Sequence, residues 1–235
     1  MSFKSITLAH GEELVQNGFF SNDPGNGVFR GKPRPFVLKD GINNLYPAIR
    51  ADVLAYFRQN QIVWWGGGNY PTGHILSSQI ACLNHLFSIR QDKTAVLNLL
   101  KTVCHDFVDV LPIKEEYLTG YIQFEAVGDN KNYLNERFNL RGSNCTSVDA
   151  LIYALHKNGK RFLIPIEWKY VETYGNEDKS YGISGETRRQ RYLNLMKQSK
   201  LLNSRTLSCC WFEPLYQLCG RHFGQNSFCI IRCPD

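Results

Sequence analysis

Apolar positions recur at helical spacing through the first half of the chain. In "SSQIACLNHLFSI", Ile80, Leu83 and Phe87 form one stripe, and Ser77 or Ser78 is placed to cap the helix start. "AIRADVLAYFRQNQIVWW", residues 48–65, also reads as helical, before "GGGNYPTG" breaks the chain. "KTAVLNLLKTVCHDFVDVL" predicts one helix over 93–111, with Ala95, Leu99 and Val103 on a stripe and Pro112 marking its end. Then the period changes to two. "GYIQFEAVG", "TSVDALIYALH" and "RFLIPIEWKYVE" predict three strands. "GETRRQRYLNLMKQS" returns to helical spacing, "RTLSCCWF" predicts a fourth strand, and "EPLYQLCGR" a short last helix. This order predicts an α/β or α+β arrangement: a central mixed sheet of about four strands flanked by helices.

Residues 21–47 are dense in Gly, Pro and Asn and read as a long loop. The expected division is a loop-rich and helical extension over 1–63, packed on a sheet-bearing domain over 64–235. A single continuous domain is the alternative. No internal repeat or low-complexity tract is present.

Composition sharpens the picture only through charge. Lys plus Arg is 27 and Asp plus Glu is 21, a formal net charge of +6. Two stretches concentrate it. Arg188, Arg189, Arg191, Lys197, Lys200 and Arg205 span a run without an acidic residue, as do Arg30, Lys32, Arg34 and Lys39. Such clusters suit a polyanion, although a solvated helix face and a basic loop give the same pattern. No segment has the length and apolarity of a membrane span, and the first residues lack the apolar run of a secretion signal. The expectation is a cytoplasmic chain with no membrane partner, whose eight cysteines are mostly reduced. Cys219, His222, Cys229 and Cys233 are ligand types close together, but no repeated Cys-x2-Cys pair accompanies them. A zinc-free, Cys-rich tail is the simpler reading.

The candidate chemistry sits where a strand should be wholly apolar. Glu167 and Lys169 interrupt "FLIPIEWKYVETY", and burying charge without a partner is costly. The preceding strand carries Asp149, and "HKNGKR" joins the two. A two-residue Asn158-Gly159 loop would set Asp149 opposite Trp168 and leave Asp149 and Glu167 on opposite faces. A three-residue loop over 157–159, with Gly159 left-handed, would set Asp149 directly opposite Glu167, with Lys169 on the same face. In that register the carboxylates lie about 5 Å apart at Cβ, and their repulsion is roughly 3 kcal/mol at an effective dielectric of about 20. A divalent cation would reverse it. The residues leave both registers open.

Together, "SVDALIYAL", a glycine turn and "IPIEWKYVETY" resemble the active-site hairpin of the PD-(D/E)xK, or restriction-endonuclease-like, nuclease superfamily. With "SSQIACLNHLF", "RGSNCTSVDALIYA" and "FEPLYQL" in the same order, residues 64–218 more closely resemble a branch of restriction-type nucleases from bacteria. The chain departs from the pattern at Val148, where the superfamily's name places Pro, and around Arg188 and Tyr192, where some branches carry Gln and Tyr four apart. The tail after Leu218 is also unlike the helical ending of that branch.

The resemblance implies Mg²⁺-dependent hydrolysis of DNA phosphodiesters, with Mn²⁺ able to substitute and no organic cofactor. It makes Asp149, Glu167 and Lys169 the catalytic set. The metal would be held by Asp149, Glu167 and the Trp168 carbonyl, with Glu125 as a candidate for a second metal. Gln79 and Glu172 are supporting candidates, and Arg188, Arg189 and Arg191 candidate phosphate contacts. Trp64 and Trp65 could stack on bases, with core packing the plainer role. A homodimer would suit cleavage of two strands. A catalytically inactive DNA-binding or protein-interaction domain on the same fold is the competing expectation.

Overall fold

The structure is a computed structural model, and it describes residues 2–65, 68–127, 141–142, 147–171, 178–198 and 209–212. Its helices are α1 (Phe3–Gln16), α2 (Arg50–Gln59), α3 (Ser78–Leu86), α4 (Lys93–Val103) and α5 (Gly182–Gln198). Its strands are β1 (Gly27–Phe29), β2 (Lys32–Arg34), β3 (Phe107–Leu111), β4 (Ile122–Ala126), β5 (Val148–His156) and β6 (Arg161–Ile166). The α+β expectation holds, and every described pairing in the main sheet is antiparallel.

β5 is the axis of that sheet. One edge carries β6, and the other carries β4 and β3 end to end, along the first and second halves of β5. β3 and β4 are joined by a loop closed with an Ile113–Gly120 bridge. β3 departs from the sequence expectation, which runs the preceding helix on through residues 107–111. Helix α4 stops at Val103, and Cys104 turns extended with φ −146° and ψ 111°. Phe107, Asp109, Val110 and Leu111 then find ladder partners on β5 that an isolated helix could not offer, with a register shift at Val108. The second helix is likewise shorter than expected: Asn60 closes it, and Trp64 lies beyond it in a bridge to Gly68. In the expected fourth strand, residues 209–211 form a 3₁₀ turn, while 205–208, the last helix and the Cys-rich tail lie outside the described residues.

One face of the sheet carries the core. Ile122, Phe124, Ala150, Ile152, Ala154 and Ile164 alternate along their strands and meet Val53, Tyr56 and Phe57 of α2 and Ile80, Cys82, Leu83 and Leu86 of α3. Each large side chain so buried contributes about 1.5–3 kcal/mol. Leu45, Ile49 and Ile62 join the same cluster, so residues on both sides of position 63 share one hydrophobic core. Trp64 is buried there, its ring stacked on Phe57 with centroids 3.9 Å apart. Among the described residues, no helix is long and apolar enough to cross a membrane.

The stretch over 21–47 is more ordered than its composition suggests. β1 and β2 make a short hairpin, and the buried Asp23 carboxylate gathers the chain around it. It accepts from the backbone N–H of Gly25 (2.9 Å), Lys39 (2.9 Å) and Asp40 (3.0 Å) and from Asn43 Nδ2 (3.1 Å). Burial raises its pKa, but these donors outweigh burial and hold it below the usual aspartate value. A depressed carboxyl stabilises the fold above its unfolded pKa and loses that contribution as pH falls through the folded one. Asp23→Ala should therefore cost about 1.5–3 kcal/mol at neutral pH. In urea melts the gap between wild type and variant should shrink as the pH is lowered below the ordinary carboxylate range. A gap independent of pH would show that the charge is not what ties the loop.

Candidate functional site

The hairpin between β5 and β6 adopts the three-residue loop. Gly159 has φ +78°, its N–H donates to the His156 carbonyl at 2.9 Å, and His156 N–H donates to the Lys160 carbonyl at 2.9 Å. The ladder then runs from Leu155 opposite Arg161 to Ala150 opposite Ile166. Continued by one position, it brings Asp149 opposite Glu167. β6 ends at Ile166, yet the chain stays against β5, because Trp168 N–H donates to Asp149 Oδ2 at 2.7 Å. Lys169 Nζ lies 2.5 Å from Glu167 Oε1, with the lysine side chain one-third exposed and the glutamate more buried.

On the other edge of β5, the β4 ladder pairs Phe124 with Ala150 and Ala126 with Val148, so Glu125 stands level with Asp149. Asp149 thus has a carboxylate on either side of it, Glu125 on β4 and Glu167 one residue past the end of β6. The three do not converge into a three-ligand cluster, however, among the described residues. Glu125 is buried and committed: Gln79 Nε2 donates to its Oε1 at 2.7 Å, and Ser147 Oγ to its Oε2 at 2.7 Å. Gln79, Cys82, Leu83, Phe57 and Phe124 line a recess with Glu125 and Asp149. The Cys82 thiol pKa is pushed well up, first by burial and then by the charges of Asp149 and Glu125.

Glu125 also has φ +48°, a left-handed backbone inside a strand. For a residue with a side chain this costs of order 1–3 kcal/mol and persists only when its surroundings impose it. Arg141 supplies the constraint. Its guanidinium donates to the carbonyls of both Phe124 and Glu125. Arg141 is held in turn by Glu115, at 2.8 Å, and Glu115 pairs with the buried Arg90 at 2.7 Å. The Tyr56 hydroxyl donates to Glu115 and accepts from Phe124 N–H. Burial, then the Glu115 charge, raises that hydroxyl's pKa far out of the physiological range. A buried polar network thus fixes the strand kink that directs Glu125.

The remaining candidates fall in different places. Arg188, Arg189 and Arg191 are on α5; Arg188 Nη1 donates to the Lys179 carbonyl at 3.1 Å, and Arg189 is exposed. Glu172 lies outside the described residues. Ser147, Cys82 and Arg141 are residues that sequence reasoning missed. Cys82 alone left a signal, three positions after Gln79 on the stripe that faces the sheet.

Cys104, Asp106 and His156 also bring ligand-type atoms within 4.8 Å of one another, at the far end of β5. Their hydrogen bonds describe a charge clamp. Lys157 Nζ holds Asp106 at 2.8 Å, and Lys157 N–H donates to the Asp106 carbonyl. His156 Nδ1 accepts from Asn158 N–H at 3.2 Å, which puts the ring proton on Nε2, the nitrogen facing Asp106 at 3.7 Å. A metal would have to displace both that proton and Lys157.

The antiparallel sheet flanked by helices agrees with the α+β fold expected of a restriction-endonuclease-like protein. The sequence matches, over residues 7–225, the family model described as Restriction Endonuclease associating with ARP, and the chain belongs to that family. No curated protein and no solved structure matches the chain significantly. Family membership supports a nuclease of restriction or defence type.

Proposed function

We propose that this protein is a divalent-cation-dependent nuclease that hydrolyses DNA phosphodiester bonds, acting as an endonuclease of restriction or defence type in the cytoplasm. The observation that carries this reading is the hairpin register, which brings Asp149 level with Glu167 and sets Lys169 beside it. The donor chemistry fits a hard cation. Asp149 and Glu167 offer carboxylate oxygens, and the Trp168 carbonyl is a further candidate. Mg²⁺ is the expected ion, with Mn²⁺ able to replace it. When bound, such an ion supplies Lewis-acid polarisation of the scissile phosphate and a more acidic water.

The chain's own residues do the rest. Asp149 and Glu167 would hold the cation at the end of the β5–β6 hairpin. Lys169 orients the attacking water and stabilises the negative charge that builds on the phosphate. Glu125, fixed by Gln79 and Ser147, orients water at the edge of the site or contributes to a second metal position. The exposed Arg189, with Arg191 and Arg188, contacts phosphates on either side of the cut. Hydrolysis in this manner leaves a 5′-phosphate and a 3′-hydroxyl. Cleavage of both strands calls for two such sites, which a homodimer supplies.

The test is incubation of supercoiled plasmid, methylated and unmethylated, and of single-stranded DNA with Mg²⁺, Mn²⁺ or EDTA. Nicking or linearisation with either metal, abolished by EDTA, is the expected result. No cleavage of any substrate, with no metal binding by calorimetry, would leave an inactive DNA-binding or protein-interaction domain.

A further inference from the structure

A second concavity lies beside the proposed nuclease site. It has a volume of about 620 Å³ and is walled by residues 28–29, 37–41 and 70–73 together with Trp65 and Gly68. That volume is in the range of sites for small organic groups. Two glycines allow its walls to meet. A Cβ on Gly41 would lie 1.8 Å from the Pro71 carbonyl oxygen, and one on Gly73 2.2 Å from that of Leu38.

Its aromatic lining is unusual for a surface. Trp65 is 51% exposed and Tyr70 50%. Phe29 stacks on Trp65 with centroids 6.0 Å apart, and His74 packs edge-on against Phe29 at 4.7 Å. Burial lowers the His74 pKa, which favours the neutral ring. Phe29 and His74 thus buttress Trp65 and leave part of its indole open to solvent. The rim is basic. Lys39 lines the cleft, the Arg30 guanidinium lies 5.3 Å from the Phe29 ring centre, and Lys32 and Arg34 follow on the same hairpin. Asp40 is the acidic side chain of the lining.

The cleft is also tied to the carboxylates. Gln79 Oε1 accepts from Trp65 N–H at 3.0 Å, and the other end of the same amide donates to Glu125. One side chain therefore fixes the backbone of the exposed tryptophan and the buried acid on β4.

We propose that this cleft binds an unpaired nucleobase of the DNA strand presented to the nuclease site, with the base stacked on Trp65 and the adjoining phosphates on Arg30, Lys32 and Lys39. This rests on the nuclease reading for the identity of the strand. An exposed aromatic face with a cationic rim is the arrangement that binds single-stranded nucleic acid, since every base offers a π-face and every linkage a charge. The Gln79 bridge makes the cleft a positioning device: a base seated on Trp65 sets the register of the strand relative to Asp149.

The test is equilibrium binding in EDTA, so that cleavage plays no part, of an oligothymidylate and of an oligomer of equal length lacking every base. Stacking of one base contributes about 1–3 kcal/mol, so the protein should bind the thymidylate at least about 5-fold more tightly. Trp65→Ala should remove that preference and leave the phosphate-driven affinity, whereas Trp65→Phe should keep much of it. Equal affinity of the wild-type protein for the two oligomers would overturn the proposal without reference to any variant. So would a preference unchanged in Trp65→Ala. If the preference is absent while metal-dependent cleavage persists, the cleft falls and the nuclease stands. A Trp65-dependent preference without cleavage has the opposite meaning.

Discussion

Lys169→Ala should lower the rate of metal-dependent DNA cleavage by roughly 10²–10³-fold, the loss typical of removing one group that stabilises developing charge. The fold should hardly notice. The Lys169 side chain is one-third exposed, and its ion pair with Glu167 spans only two residues, so that pair ties no distant segments together. Asp149→Asn is the companion variant. An asparagine keeps an oxygen to accept the Trp168 N–H, now 2.7 Å from Asp149 Oδ2, so the hairpin retains its register and loses only a charge. Cleavage should fall at least as far as in Lys169→Ala, while DNA binding in EDTA and the melting temperature stay near wild type. Wild-type cleavage by either variant would remove these residues from the chemistry. Loss of cleavage together with a collapsed melting temperature would show that they are structural.

Glu115→Gln should instead be lost to stability, by about 3–5 kcal/mol, because it leaves buried positive charge uncompensated. Arg90 and Glu115 have side chains only 1% exposed, and Arg141 shares the same carboxylate. For a chain of this length the melting point should drop by roughly 6–20 °C. The comparison is Lys93→Ala, which breaks the exposed Lys93–Asp109 pair and should barely move the melting point. A Glu115→Gln protein as stable as wild type would mean that hydrogen bonds from the arginines to Tyr56 and the neighbouring carbonyls solvate their charge without a counter-ion. Because Arg141 also holds the left-handed backbone at Glu125, a folded Glu115→Gln protein should cleave more slowly, although residue 115 is not part of the proposed chemistry.

The network explains why a buried ionic cluster sits under this sheet. Apolar residues of the same volume would pack there at no desolvation cost. They would not hold two strand carbonyls in the geometry that turns Glu125 toward Gln79 and Ser147. Stability and site geometry are thus carried by the same arginines.

Local pattern by itself determined much of this protein. Serine at 77 caps α3, period-two apolar alternation marks β4, β5 and β6, and Asp149 and Glu-x-Lys stand where an apolar strand would exclude charge without a reason. These are properties of neighbouring residues, and short-range sterics and burial suffice to read them. The tertiary structure decided the rest. Both loop lengths of the β5–β6 hairpin are compatible with "HKNGKR". The choice falls to contacts outside it, among them Lys157 N–H on the Asp106 carbonyl and the pairing of β5 with three other strands. Residues 107–111 have helical neighbours in sequence and become a strand because an edge of β5 is there to receive their backbone. The left-handed Glu125 has no signature at all in the chain. Its strain is offset by Arg141, Glu115 and Arg90, which come from distant segments, and only packing brings those segments together.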